Sequence, residues 1–199
     1  MLPNGDVYVV FNNFNTPTLV DQQLGVLVHV SGNTLTADPP VKVGVDDETR
    51  AALCDFGRGP EQCVDSLNIR SQDFPAVALD PTNGLHLVAA WNDTRVATVN
   101  GNYDIVVSES TDGGATWSDA AGHGTVLTTP GAYFEPSVAV ASNGHVAVST
   151  LNPDIVRWEP VGSPGHGGSK CNGPTGSASR SGRVDHAATR VRSGGVPVC

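Results

Sequence analysis

Cys54 and Cys63 bracket the short loop DFGRGPEQ. Two thiols at that spacing can close into a disulfide, which persists in oxidising compartments, or stay unpaired. Zinc ligation would need a CxxC pair or nearby histidines, and neither accompanies them. His29, His86 and His145 sit singly in strand-like runs and His166 lies in Gly-rich sequence, so no metal site and no cofactor is expected. Tyr133 and Glu135, in AYFEPSV, set a phenol and a carboxylate two residues apart, on one face if the run is a strand. No GxSxG, P-loop or dinucleotide fingerprint is present. The densest set is STDGGATW, residues 110–117. The Asp112 carboxylate can accept backbone N–H groups and a hydroxyl, and Gly113 and Gly114 supply positive φ. Trp117 adds a large ring to bury. This is the chemistry of a hairpin turn, not of a reaction.

The elements around these residues are short. The chain has 199 residues, 39% of them hydrophobic, with 23 Gly and 14 Pro. Recurrent NG, GG and DP pairs punctuate strands and argue against long helices. No apolar run approaches the ~20 residues that span a bilayer. The net charge of -9 disfavours a nucleic-acid partner, which needs a basic face. No basic and apolar leader is visible at the start, where Met1 leads straight into a strand-like run.

One unit recurs. PNGDVYVVFNN starts at Pro3, TNGLHLVAAWND at Thr82 and SNGHVAVSTLNP at Ser142. Each is an Asn-Gly turn, a strand and a polar exit. FPAVALDP and FEPSVAVA supply a preceding strand to the second and third copies; the first has none. A further strand begins at Val26, at Ile105 and, after a shorter connection, at Ile155. The second copy then carries STDGGATW, and the first a worn version in VSGNTLTADPPVKVGV. Serial four-stranded antiparallel units predict an all-β chain of about two and a half β-propeller blades. A β-sandwich or jelly roll would not need the same turn at the same place in successive units.

Ser110, Asp112, Gly114, Thr116 and Trp117 match S-x-D-x-G-x-T-W at every fixed position. The stretch resembles the Asp-box, or BNR, repeat of sialidase-like β-propellers, over residues 1–158. In that family the box is structural and lies on the rim. The resemblance implies a secreted protein and exo-α-sialidase activity, a glycoside hydrolysis that releases terminal sialic acid. It also implies an arginine cluster for the substrate carboxylate, a Tyr–Glu nucleophile pair and an Asp acid/base. Arg95, in WNDTR, stands where a substrate-binding arginine is found; pairing with Asp93 is the alternative. Arg70, off register, is a second candidate or a solvated loop residue. Asp73 occupies the place of the first family arginine. The loop at 96–103 carries no acid, and Asp93 and Asp104 are out of register for that role. Tyr133 and Glu135 fall too early in the chain for the nucleophile pair.

From Glu159 the alternation fades. Residues 159–199 hold nine Gly and six Ser and are expected to form a disordered tail, either a native linker or the product of a frameshifted or truncated reading frame. The sequence therefore predicts a sialidase-like propeller segment without turnover of its own. The alternative is a non-catalytic Asp-box propeller that binds glycan or protein, or scaffolds other domains.

Overall fold

The computed structural model describes residues 1–14, 20–64, 69–128 and 131–152, and the backbone course of 187–192 and 195–198. Its elements are all β-strands, arranged in antiparallel sheets, none of which closes on itself. The first sheet contains β1 (Val7–Asn13), β2 (Val20–Ser31), β3 (Thr34–Ala37) and β4 (Val41–Asp47). β2 is long enough for β4 to pair with its first half and β3 with its last residues. Pro39 and Pro40, which cannot donate to a ladder, separate the two.

Between the first and second repeats lies a small sheet of β5 (Ala52–Asp55), β6 (Pro60–Val64) and β7 (Ile69–Arg70). Cys54 and Cys63 form a disulfide across its hairpin, with Cα atoms 5.8 Å apart. Cys54 stands opposite Glu61 and Cys63 opposite Ala52, so the bridge runs diagonally across the ladder. This inserted hairpin accounts for the wider spacing between the first two repeats.

The middle sheet is β8 (Ala76–Asp80), β9 (Asn83–Asp93), β10 (Asp104–Ser110) and β11 (Thr125–Val126), each paired with the next. Its strands follow the second repeat. Leu87, Ala89 and Trp91 on β9, with Val106 on β10, pack against Tyr8 and Val43 of the first sheet. Val88 and Ala90, with Ile105 and Val107, face the other way. Both faces of this sheet are therefore covered, which is why β9 reads as the unbroken apolar run LVAAW rather than an alternation.

The last sheet covers that second face with β12 (Phe134–Val140) and β13 (Val146–Leu151). Within the segment expected to be a disordered tail, two short strands are described. β14 (Ala187–Arg192) pairs with β13, and β15 (Gly195–Val198) pairs with β14. The open edge of β13 offers unpaired backbone groups, and the short runs AATRVR and GVPV fill it despite their Gly- and Ser-rich surroundings. Pro197 lies in β15 at the outer edge, where a strand tolerates proline. β14 thus takes the place in the ladder that the repeat pattern gives to Ile155–Trp158. Those residues, and the rest of the tail reading between 153 and 186, lie outside the described residues.

Candidate functional site

The two ends of the stacked strands differ in kind. β10 runs from Asp104 at one end to Ser110 at the other, about 20 Å for seven residues.

At the Ser110 end the turn is held by its own side chains. Ser110 Oγ donates to Asp112 Oδ1 (2.8 Å) and accepts from the Gly114 N–H (2.9 Å). Asp112 accepts from the Thr116 N–H (2.9 Å) and from its hydroxyl (2.6 Å). Gly113 and Gly114 have φ of 77° and 94°. Trp117 Nε1 donates to the Gly114 carbonyl (3.1 Å) and to the Tyr8 hydroxyl (3.2 Å), and that hydroxyl donates to the same carbonyl (3.0 Å). The turn thereby locks the middle sheet to the first. The Thr116 hydroxyl and N–H, then Ser110, hold the Asp112 carboxyl down to about 2. A depressed carboxylate contributes stability above its unfolded value, near 3.8, and loses it as pH falls through the folded one. Thermal melts should therefore show the wild type losing more Tm between pH 4 and pH 2 than Asp112→Asn, which cannot titrate. Parallel curves in that window would dissociate Asp112 from the turn's stability.

At the opposite end Arg95 is enclosed. Nη1 and Nη2 fork onto Asp119 (2.9 and 3.0 Å), and Nη2 also reaches Asp93 (2.7 Å) and the Val45 carbonyl. Asp93 and Asp119 are fully buried. Asp93 also accepts from the Arg95 N–H (2.6 Å) and the Asp47 N–H (3.0 Å). Burial works against the guanidinium, but Asp93 and Asp119 more than reverse it and raise its pKa further. Burial keeps Asp93 above the usual carboxylate range even so. Both terminal nitrogens of Arg95 are engaged within the chain.

Beside this clamp lies a buried group that the sequence reading did not assemble. Asp46 lies next to the end of β4, Glu48 follows that strand and Asp73 precedes β8; an oxygen of each lies within 4.8 Å of the others. Gln23, on β2, donates to Asp46 (2.9 Å) and to the Asp73 carbonyl (2.7 Å). Asn12 donates to Asp46 and Asn92 to Asp73. Burial pushes the Asp46 and Asp73 carboxyls well above their ordinary range; Asp93 and Glu48 add to the rise at Asp46, and Asp46 and Glu48 to that at Asp73. Asp104 is pushed up to about 6 by burial and by Asp93. Among the described residues no lysine, arginine or histidine forms an ion pair with Asp46, Glu48 or Asp73. A signal for this group lies in the polar exits of the repeats, FNN and WND, which bring Asn12 and Asn92 to the same end of adjacent sheets.

The remaining candidates are apart. Arg70 is half-exposed and pairs with Glu61 (2.6 Å), which also bonds Arg58. Arg70, Gln72, Phe74 and Glu135 line a cleft of about 220 Å³. Glu135 is exposed with φ of 49°, beside a break in the β12–β13 register. Regular alternation fails there, while Tyr133 packs into the core between the middle and last sheets. Strand periodicity therefore does not set the two on a shared face.

No protein-family model matches the chain, and no curated protein matches it. Among the described residues no helix is long and apolar enough to cross a membrane.

Proposed function

We infer that the chain is a segment of a sialidase-like, Asp-box β-propeller that serves as a non-catalytic binding or scaffolding module outside the cell. The observation that carries this reading is the complete Asp-box turn, whose side chains bond one another and whose tryptophan ties two adjacent sheets together. Two further features support it. Val9, Phe11, Val20 and Val30 expose an apolar outer face on the first sheet, the kind of face that another stacked blade covers. The disulfide suits an oxidising compartment.

A catalytic reading asks for a free guanidinium and an acid at the leaving group. Arg95 is tied to Asp93 and Asp119, and the loop at 96–103 has no carboxylate. Missing acid catalysis alone is worth ~10²–10⁴-fold in rate. A glycan-binding role has a site to use, since Phe74 exposes its ring beside Arg70, Gln72 and Glu135, and sugars stack on such rings. The purified chain is expected to leave a fluorogenic sialoside unhydrolysed, at the rate of a no-enzyme blank. Turnover above that blank, abolished by Glu135→Gln, would establish an active enzyme and sink this reading.

A further inference from the structure

We propose that Asp46, Glu48 and Asp73, together with the amide oxygens of Gln23 and Asn92, bind one calcium ion at the acidic end of the sheets. Carboxylate oxygens within 4.8 Å of one another leave room for an ion between them, because calcium takes oxygens at about 2.3–2.6 Å. Gln23 and Asn92 are fully buried, and their nitrogens already serve Asp46 and Asp73. Among the described residues their oxygens, Gln23 Oε1 and Asn92 Oδ1, have no donor. Asp46 Oδ1, Glu48 Oε1 and Asp73 Oδ2 are in the same condition. A buried acceptor without a donor is costly, and these five are all acceptors, on three clustered carboxylates and on the two amides bonded to them. A cation answers all of them together, whereas hydrogen-bond donors would have to be found one by one.

The donor set selects the ion. It holds no sulfur and no imidazole, which excludes a preference for zinc or copper. Three carboxylates and two amide oxygens offer the irregular, oxygen-rich shell that calcium accepts; magnesium demands a near-ideal octahedron at about 2.0–2.1 Å. Three negative charges would face two positive ones, and Asn12 and Gln62 stand at the margin with further buried oxygens lacking donors. A cleft of about 270 Å³ lined by Glu48 and Gln62 gives the ion a way in. The site would fasten the first sheet, through Gln23 and Asp46, to the middle sheet, through Asn92.

The test uses the full chain after EDTA treatment and desalting. Calcium at 1 mM should raise Tm by about 5–10 °C, the shift that a hundredfold excess over Kd gives a domain of this size, and magnesium should raise it less. Terbium, excited through Trp91 and Tyr103, should luminesce at one ion per chain and be displaced by calcium. Asp73→Asn should weaken calcium binding at least tenfold while its Tm in EDTA equals or exceeds that of the wild type, because one like charge is gone. A purely structural carboxylate would instead lower Tm in EDTA. Asp112→Asn, at the other end of the strands, should bind as the wild type does. If Asp73→Asn does not fold, the wild-type terbium titration decides. A Tm indifferent to calcium, with no saturable terbium emission, would overturn the proposal and leave protons as the occupants of the cluster.

Discussion

Arg95→Met lowers the stability of the chain by about 3–5 kcal/mol, the cost of leaving buried charge without its partner. The guanidinium is the counter-ion of both Asp93 and Asp119, neither of which reaches solvent. Methionine fills much of the volume but leaves two buried carboxylates without their counter-ion. Asp119 also accepts from the Gly124 N–H, and Asp93 from that of Asp47, so the loss spreads to two loops. Urea denaturation measures the change. Adding Asp119→Asn to Arg95→Met should return part of the lost stability, because it removes one of the stranded charges. A substrate-binding arginine would behave otherwise: its removal would weaken a ligand and leave the unfolding midpoint in place.

Gly114→Ala costs about 3 kcal/mol or more, and Gly113→Ala only about 1–2 kcal/mol. Both glycines have positive φ, which an alanine adopts at a penalty. They differ in what a Cβ would meet. At Gly113 the nearest atom is Leu85 Cδ2 at 3.4 Å, an ordinary contact. At Gly114 the new carbon would overlap the Tyr8 ring, held in place by its bond to the Gly114 carbonyl and by Trp117. Tyr8 cannot move without opening the contact between the first and middle sheets. Equal effects at the two positions, read from denaturant midpoints, would mean that the ring yields easily and the turn is not a joint between sheets.

The strands and the turn were legible in the sequence because both are local. An Asn-Gly turn, an alternating or unbroken apolar run and a box of eight residues each fit inside a short window, and the paired cysteines close a short hairpin. The acidic cluster was not legible. Its members come from four separate stretches between Gln23 and Asn92, and nothing in any one window distinguishes Asp73 from a loop carboxylate at the surface. Arg95 shows the intermediate case. Its partner Asp93 is two residues away and was foreseeable, whereas Asp119 arrives only when the segment after the box folds back. The polar alternation at Tyr133 and Glu135 misled because a positive φ at Glu135 interrupts the strand geometry on which the inference rested.

Burial of the middle sheet on both faces also constrains the order in which the nascent chain can acquire its structure. Its four strands are all synthesised once Val126 has been added, yet Val88, Ala90, Ile105 and Val107 still lack their covering sheet. Val138, Val140, Val146 and Val148 must emerge before that surface leaves water. A middle sheet that pairs its four strands in that interval stays open on one apolar side. The interval until β13 is made, about 25 residues or a few seconds at ordinary elongation rates, is when a trigger-type chaperone has most to protect.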